Sequence, residues 1–276
     1  MPSVLVTGAG RGIGKSIVEH LAAGGWDVIA GVRSERDAAA VTALDPQRIS
    51  SVILDVTDAG HIAALNGSLP ERLDAIVNNA GVVVTGPMET VTPDEWRKQL
   101  EINVIGQLAV TQAVLPRLRK SRGRVVFISS VNGRLSMSLI GAYCASKFAL
   151  EAAADALRME LRPWHIRVAV VEPAQTNTDM WRTAADMVEQ AAATLTPEQR
   201  DLYARHIAGM NKMIPVVQKM SVPAKRVSAV VEQALTARRP RARYVVGAGP
   251  KLQVALMTNL PALARDRVLR RISGQP

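Results

Sequence analysis

The chain has 276 residues, of which 48% are hydrophobic, and a formal net charge of +10. A chain of this length buries most of the surface that its unfolded form exposes, so it needs neither disulfides nor a structural metal to fold. Cys144 is the one cysteine, which excludes an intramolecular disulfide and a cysteine-based zinc site, and the four histidines lack ligand spacing. No apolar run approaches the roughly 18 residues of a membrane-spanning helix, and the N-terminus lacks the layout of a secretory signal, so we expect a cytoplasmic protein without a metal.

The positive charge is concentrated at the C-terminal end of the chain. From Pro223 onward, eleven lysines and arginines stand against two acids, a balance of +9, whereas the preceding 222 residues carry 23 basic and 22 acidic residues. A basic end can contact phosphate-rich surfaces such as lipid head groups or nucleic acid. We favour a solvated, arginine-rich surface and expect no nucleic-acid partner, because Tyr244 is the one aromatic residue there and no nucleic-acid-binding module is present.

Strand-like and helix-like segments alternate over the first 175 residues. Short runs that are apolar nearly throughout predict parallel strands covered on both faces, at 3–7, 27–32, 50–55, 73–78, 124–130, 166–172 and 243–246. A capping box at Thr92–Glu95 opens a helix predicted to run to about Arg117, and another helix begins near Ala142 and ends before Pro163. We therefore predict one α/β domain over 1–276, a doubly wound, Rossmann-type parallel sheet of about seven strands with helices on both faces.

Two segments depart from this alternation. Residues 179–222 hold five of the ten methionines, namely Met180, Met187, Met210, Met213 and Met220. Because methionine adapts to variable shapes, we interpret 179–222 as a substrate-lid insertion, with a helix packed on the core as the alternative. Residues 250–276 form a basic amphipathic extension, for which closure of the pocket or a subunit contact is favoured over peripheral contact with an anionic membrane.

The first predicted strand runs directly into a glycine-rich turn that is followed by a helix. Its glycines do not fit the spacing G-x-G-x-x-G, but the strand–turn–helix context is the one that a dinucleotide site requires. Gly8 permits the turn, Gly12 lets the backbone approach a pyrophosphate, and Gly14 allows close contact between helix and sheet. The helix N-terminus offers N–H groups to the anion. The candidate cofactor-binding residues of this turn are Gly8, Gly10, Arg11, Gly12, Ile13 and Gly14.

The end of the second predicted strand bears on which dinucleotide binds. An acidic residue there would bind the ribose 2′-hydroxyl of NAD, whereas the strand ends in Val32-Arg33. Arg33 and Arg11 both carry guanidiniums suited to a 2′-phosphate. The charges therefore favour NADP(H), with NAD(H) as the alternative.

Tyr143 and Lys147 are four residues apart on a predicted helix and therefore share one face. A phenol near its ordinary pKa of about 10 is a poor base at neutral pH, but a neighbouring ammonium favours the phenolate. Ser130 ends the fifth predicted strand and Asn78–Gly81 the fourth, so both reach the carboxyl edge of the sheet, where the glycine turn also lies. This arrangement predicts an acid–base site beside a nucleotide.

These motifs together resemble the short-chain dehydrogenase/reductase family. The matching positions, in order and over about 175 residues, are Thr7-Gly8-x-x-x-Gly12-Ile13-Gly14, Asp55, Asn78-Asn79-Ala80-Gly81, Asn103, Ser130, Tyr143-x-x-x-Lys147 and Pro173. A shorter stretch, residues 28–33, resembles the hydroxysteroid- and retinol-dehydrogenase-like branch of that family.

The resemblance implies a role for each matching residue. Tyr143 would be the acid–base group, Lys147 would lower its pKa and hold the nicotinamide ribose, and Ser130 would hydrogen-bond the substrate oxygen. Asn103 would fix a water that relays protons, and Asp55 would contact the adenine. The cofactor-binding residues that the resemblance implies beyond the glycine turn are Arg33, Asp55, Val56, Asn79, Ala80, Gly81, Tyr143, Lys147, Pro173, Thr176 and Thr178.

The implied reaction is hydride transfer between nicotinamide and a carbonyl or secondary alcohol, and the methionines favour a lipophilic steroid-, retinoid- or fatty-type substrate. The resemblance also implies a homodimer or homotetramer formed through the helices at 94–117 and 142–161. A catalytically silent NADP(H)-binding regulatory protein on the same fold is the alternative. The family usually has Pro-Gly after the sixth strand, and Pro173-Ala174 here leaves the exact contacts of the following threonines open.

Overall fold

The computed structural model describes residues 1–178 and 183–272. Its strands are β1 (Ser3–Thr7), β2 (Asp27–Val32), β3 (Ile49–Ile53), β4 (Ala75–Asn78), β5 (Arg124–Ile128), β6 (Arg167–Glu172), β7 (Thr176–Asn177), β8 (Val222–Pro223) and β9 (Arg243–Val245). The helices are α1 (Gly12–Ala23), α2 (Glu35–Thr42), α3 (Ala59–Ser68), α4 (Pro93–Leu100), α5 (Gly106–Ser121), α6 (Gly141–Glu160), α7 (Ala184–Ala193), α8 (Pro197–Lys219), α9 (Ala224–Thr236), α10 (Ala248–Met257) and α11 (Ala262–Ile272).

Seven of the strands form one parallel sheet in the order β3-β2-β1-β4-β5-β6-β9. The chain adds strands on one side of β1 up to β3 and then returns to add the rest on the other side. In open α/β sheets, ligands bind at the carboxyl ends of the strands beside such a reversal. The topology therefore places a binding crevice at the ends of β1 and β4. The predicted seven-stranded sheet is confirmed, and its strand ends lie within two residues of the predicted ones.

Apolar side chains cover both faces of this sheet. Val4 and Val6 of β1 pack into one layer with α1, α2 and α9, whereas Leu5 packs into the other layer with α3, α5 and α6. Alternate residues of a strand point to opposite faces, so each buried strand contributes to both layers. For this reason the sequence of each strand is a continuous apolar run, and the strands could be predicted from the sequence.

The sequence predicts one long helix from Thr92 to about Arg117. The structure has two helices there, joined by a π-turn, and the second extends beyond Arg117. Thr92 and Glu95 form the predicted capping box, but α4 ends at Leu100 and a π-helical turn, Glu101–Ile105, joins it to α5. The second part extends to Ser121, where Arg122 takes the left-handed conformation (φ 55°) that ends it. A π-turn adds one residue to the helix and is frequent at functional sites, and apolar periodicity does not reveal it.

The helices α7 and α8 lie within the segment predicted as an insertion, of which residues 179–182, including Met180, lie outside the described residues. Val188, Met210 and Ile214 pack around Leu139, in the loop before α6, and form a small core separate from the two layers of the sheet. Leu139 takes a left-handed backbone conformation (φ 63°), which is uncommon for a bulky residue. The two helices are thus attached to the loop that precedes the predicted catalytic helix.

The C-terminal helices follow β9. Val254 and Met257 of α10 pack on Leu135 and Val131, next to Ser130, whereas Leu256 of the same helix is exposed. None of the helices in the described ranges is long and apolar enough to cross a membrane. One face of α10 therefore supports the loop that follows β5.

Candidate active site

The glycine turn between β1 and α1 packs closely against the end of β4. Gly8 has a positive φ (+64°), and a Cβ there would lie 2.9 Å from Cα of Ala80. A Cβ at Gly14 would lie 2.2 Å from the Gly8 carbonyl oxygen, so side chains are excluded at both positions. Asn79 Nδ2 donates to the carbonyl oxygens of Thr7 (3.0 Å) and Gly8 (3.1 Å). Close packing and the hydrogen bonds of the Asn79 side-chain amide therefore fix the backbone conformation of the turn.

The N-terminus of α1 is available to an anion. Arg11 precedes the helix, no side chain caps it, and its first turn has no acidic residue. Its first N–H groups therefore have no intrahelical acceptor and no side-chain acceptor among residues 1–178 and 183–272, which is the arrangement that binds phosphate. Thr178, two residues beyond Thr176, lies 3.6 Å from the position of a Cβ at Gly12. The structure thus brings the loop after β6 to the glycine turn, as the sequence predicts, and these residues fit a pyrophosphate.

The outer end of the crevice carries charges of both signs. Arg33, exposed after β2, faces Asp55 after β3. Burial raises the pKa of Asp55, but hydrogen bonds from Thr57 and the charge of Arg33 outweigh it and hold the pKa below its ordinary value. A Cβ at Gly10 would lie 3.3 Å from Cβ and Cγ of Asp37, an acid in the first turn of α2. Asp37 is not among the residues predicted from the sequence, although its position 23 residues after Gly14 is near the spacing of a ribose-binding acid.

Tyr143 and Lys147 meet on one face of α6, as predicted. The Lys147 ammonium lies 5.9 Å from the centre of the Tyr143 ring and donates to the Ile128 carbonyl oxygen at 2.8 Å. Burial lowers the pKa of Lys147 to about 8, against the opposing charge of Glu151. Burial likewise raises the pKa of Tyr143 to about 12, against a hydrogen bond with Ser130. The phenol is therefore protonated at neutral pH in this structure and depends on nearby positive charge to act as a base.

Ser130 follows the end of β5 and is positioned by its own turn. Its hydroxyl accepts from the backbone N–H of Asn132 (3.1 Å), which caps the 3₁₀ turn Val131–Gly133. The backbone N–H of Val131 donates to the Pro173 carbonyl oxygen (3.0 Å). The ends of β5 and β6 are therefore joined next to the Ser130 hydroxyl.

Three buried amide side chains on one helix face hold the segment that follows β4. Asn103, in the π-turn, accepts from the N–H of Val82 (2.9 Å) and donates to its carbonyl oxygen and to Ser146 (3.0 Å each). Gln99 contacts the same segment, donating to the Val82 carbonyl oxygen at 2.9 Å, and Gln107 donates to the Ala80 carbonyl oxygen at 2.6 Å. The sequence analysis missed both glutamines, although their four-residue spacing around Asn103 was a signal. Both amide hydrogens of Asn103 are used in these contacts, so its side chain ties α6 to the segment after β4.

The remaining predicted residues lie around the same crevice. Val56 is buried, and its carbonyl oxygen faces Gly106 at the start of α5. A Cβ at Gly81 would lie 3.4 Å from Oδ1 of Asn103. After Pro173, the Thr176 hydroxyl donates to the Ala174 carbonyl oxygen (3.1 Å), and β7 pairs with β8, a small sheet that the sequence analysis did not foresee. The structure thus brings together the residues that the sequence analysis singled out.

A mostly apolar cavity of about 150 Å³ opens beside the Tyr143 and Ser130 hydroxyls. None of the described residues that line it is charged. Three of the five methionines of 179–222 lie in its wall, whereas Met220 is 77% exposed. Its apolar wall consists of Ile13, Val83, Met137, Ile140, Pro173, Ala174, Ala184, Met187, Val188, Met210, Met213 and Ile214.

A fully buried carboxyl lies behind this wall, at the end of β6. Glu172 is 3.5 Å from Arg243 and 3.9 Å from Arg134, and neither of its oxygens has a hydrogen-bond partner among the described residues. Burial, helped by the charge of Glu151, raises its pKa to about 7. Glu172 therefore titrates near neutral pH.

We expect Gly14→Ala to lower the free energy of unfolding by roughly 1–3 kcal/mol, the usual cost of overpacking, and to abolish dinucleotide binding. The methyl group would strike the Gly8 carbonyl oxygen. Gly67→Ala is the matched control, because a Cβ on that exposed helical glycine meets nothing within 4 Å. Urea unfolding and cofactor titration measure both effects, and equal stability of the two variants would contradict the packing argument.

We expect Glu172→Gln to flatten the pH dependence of stability. The folded-state pKa of about 7 lies above the ordinary 4.5, so the folded chain holds a proton that the unfolded chain releases. This contribution is present at pH 4.5 and is lost as pH rises through 7, by up to about 3 kcal/mol. Urea unfolding at pH 5 and pH 8 measures it, with Glu160→Gln on an exposed side chain as control. An unaltered slope in Glu172→Gln would show that this carboxyl does not titrate in this range.

Comparison with known proteins agrees with this geometry. A family profile described as short chain dehydrogenase matches residues 2–189. Retinol dehydrogenase 7 of Rattus norvegicus is 34% identical, over 96% of this chain and 87% of that protein. The NADPH-dependent 3-dehydrocapnine reductase of Ornithobacterium rhinotracheale is 32% identical, over 99% of this chain and 96% of that protein. The resemblance to the retinol-dehydrogenase-like branch is thereby confirmed along the chain.

Solved structures share the fold. A short-chain dehydrogenase from Streptomyces avermitilis superimposes with a TM-score of 0.76 at 26% identity, covering 98% of this chain and 94% of that one. A short chain dehydrogenase from Burkholderia cenocepacia J2315, in complex with NADP, has a TM-score of 0.76 at 23% identity and covers 97% of each chain. The chain therefore belongs to the short-chain dehydrogenase/reductase family, as an oxidoreductase that acts on CH–OH and carbonyl groups with NAD(P).

Proposed function

We propose that this enzyme transfers a hydride between NADP(H) and the carbonyl or carbinol carbon of an uncharged, lipophilic substrate. The observation that carries the proposal is the cavity, which is lined by Tyr143 and Ser130 and has no charged side chain among its described lining residues. The rest of its wall is mostly apolar, with the uncharged polar residues Thr85, Ser129, Asn132, Gln175, Thr176 and Thr178. Burying a charged substrate there without a partner would be costly, whereas a steroid-, retinoid- or fatty-type ketone or alcohol would gain from contact with methionine.

The residues around the cavity support the following division of roles. Ser130, held by its turn, orients the substrate oxygen, and Tyr143 exchanges the proton on that oxygen. The Lys147 ammonium favours the phenolate of Tyr143, which lowers the barrier to proton loss when the alcohol is oxidised. When bound, the nicotinamide supplies the hydride chemistry, and the protein supplies position and proton transfer.

Asn103 takes part through its position in the π-turn. Its side chain is occupied by Val82 and Ser146, so a water that relays protons from Lys147 would be held by its backbone. The π-turn supports this assignment, because it takes backbone carbonyl groups out of the regular pattern of the helix.

The cofactor would occupy the crevice from the glycine turn to the end of β3. Its pyrophosphate would rest on the N-terminus of α1 and its adenosine would lie near Arg33 and Asp55. Arg33 and Arg11 support NADP(H), as does the relative described as NADPH-dependent, whereas Asp37 beside Gly10 would repel a 2′-phosphate. Asp55 is a second carboxylate at this end of the crevice, but its charge is directed at Arg33, and we favour NADP(H) because Arg33 and Arg11 offer two guanidiniums suited to a 2′-phosphate.

Residues 179–222 would then form a lid over the substrate. Three of its methionines and Ile214 contribute to the wall of the cavity, and its core is separate from that of the sheet. A homodimer or homotetramer, and a role of 250–276 in closing the pocket, stay predictions from the sequence.

Cofactor consumption with uncharged and charged substrates tests the proposed function. We expect turnover of a long-chain or polycyclic ketone with kcat/KM at least about tenfold above that of a keto acid of equal length, because no described residue of the wall offers the carboxylate a positive charge. Tyr143→Phe should lower kcat by about 10²–10⁴-fold and leave cofactor affinity unchanged, since it removes only the proton-carrying hydroxyl. Tyr203→Phe on α8 makes the same chemical change away from the cavity and serves as control. Cofactor binding without any turnover would instead point to a regulatory protein.

Arg33→Ala should weaken NADPH binding by about tenfold or more and NADH binding much less, because one charge-assisted contact to the 2′-phosphate is lost. Fluorescence titration with both cofactors measures this ratio. Asp37→Asn is the converse change and should strengthen NADPH binding. Equal losses for NADPH and NADH in Arg33→Ala would contradict the proposed preference.

A further inference from the structure

A group of charged side chains lies beyond Lys147 along α6, and two of its carboxyls are almost completely buried. Glu151 is one helical turn beyond Lys147 and is 5% exposed, and Asp155 follows one turn later. Glu172 at the end of β6 completes a set of three carboxyls around the guanidinium of Arg243, which comes from β9. We refer to Glu151, Asp155, Glu172 and Arg243 as the acidic cluster.

Arg243 donates hydrogen bonds to two of the three carboxyls and lies farther from the third. Its Nε donates to Glu151 at 2.9 Å and its Nη2 donates to Asp155 at 2.6 Å, whereas Glu172 is 3.5 Å away. Two buried carboxylates so close together do not both ionise easily, and the one with the poorer hydrogen bonds keeps the proton. Among the described residues Glu172 has no hydrogen bond to either oxygen, whereas Glu151 accepts one from Arg243, so Glu151 ionises first and Glu172 keeps its proton to higher pH.

Glu151 shares one packed region with Lys147. The Lys147 ammonium donates to the Ile128 carbonyl oxygen, and the hydroxyl of the next residue, Ser129, faces the Glu151 carboxylate. A Cβ at Gly133 would lie 2.7 Å from the Ser129 hydroxyl, 3.0 Å from Cγ of Glu151 and 3.2 Å from the Lys147 carbonyl oxygen. Lys147 and Glu151 are 4% and 5% exposed and lie one helical turn apart on the same face of α6, so the charge of one acts on the other with little screening by water.

We propose that Glu151 is a positioning residue for catalysis, whose carboxylate, fixed by Arg243, keeps the buried ammonium of Lys147 charged and so sustains the effect of Lys147 on Tyr143. The inference rests on the proposed function, because it takes Tyr143 to be the proton-carrying group. A neutral amine in that position would leave the Tyr143 phenol without its stabilising cation. The direction of the Lys147 pKa agrees, since burial lowers it and Glu151 opposes the change.

The groups that face Glu151 belong to four parts of the fold. Asp155 is also paired with Arg158 (3.0 Å), and Glu172 also faces Arg134. The charged and titratable groups that can contribute to a pH profile are Lys147 and Asp155 of α6, Arg134 after the 3₁₀ turn, Glu172 of β6 and Arg243 of β9.

The test is the pH profile of kcat/KM for alcohol oxidation between pH 6 and 10. In Glu151→Gln, which keeps the size of the side chain, the limb that rises with pH should move about one unit to higher pH, so that kcat/KM at pH 7 falls about tenfold. Asp155→Asn is the matched control, because it removes another carboxylate of the same helix from the same arginine. The rising limb of the Asp155→Asn profile should lie within about 0.3 pH units of that of the unaltered enzyme. The rising limb of Glu151→Asp, which keeps a carboxylate at this position, should also lie where that of the unaltered enzyme does.

A Glu151→Gln profile that superimposes on that of the unaltered enzyme overturns the inference. An equal displacement in Asp155→Asn overturns it too, because the effect would then belong to the hydrogen bonds of Arg243. If Glu151→Gln does not fold, Glu151→Gln/Arg243→Met removes both members of this pair, and the displacement must persist in it. Asp155 then keeps Arg158 and Glu172 keeps Arg134 as their cationic neighbours. Absence of turnover in the unaltered enzyme is a different result, which overturns the proposed function and this inference with it.

Discussion

Placing the ammonium of Lys147 in the protein interior, beside the phenol of Tyr143, removes it from water and thereby favours loss of the charge that the phenol needs. Much of the surrounding structure offsets this loss. The Ile128 carbonyl oxygen accepts one of its hydrogens, and Glu151, held by Arg243, supplies the opposite charge. The site therefore depends on strands from both the middle and the edge of the sheet.

The topology explains how a single crevice obtains so many fixed groups. The carboxyl ends of β1, β4, β5 and β6 are neighbours, so their loops meet without any long connection having to fold inward. Asn79 ties the end of β4 to the glycine turn, and the amides of Gln99, Asn103 and Gln107 hold the segment that follows it. Such groups have little freedom left to lose when a ligand binds, which is the advantage of a preorganised site.

The sequence predicted the sheet because strands buried on both faces are continuous apolar runs, and it predicted that Tyr143 and Lys147 share a face because they are four residues apart on one helix. It did not predict the π-turn, which leaves the apolar pattern intact, nor the acidic cluster, since Glu151 and Arg243 are separated by 92 residues. Asp37 was missed for a related reason, as its proximity to Gly10 follows from the packing of α2 on the turn. Contacts between distant segments carry no local periodicity from which they could be inferred.

The distribution of charge divides the site into two regions. The carboxyls and guanidiniums of the acidic cluster lie behind α6 and the end of β6, whereas the described lining of the cavity in front of Tyr143 has no charged side chain. A charge near the substrate would compete with Lys147 for the phenolate or attract water to the reacting carbon, and a charge behind Lys147 does neither. Under the proposed function, the same separation would admit an apolar substrate to the front of the phenol while the ammonium beside it stays charged. Catalysis and substrate selection thus make opposite demands on polarity, and both are met along one face of α6, with Tyr143 at the cavity and Glu151 two turns further along the helix.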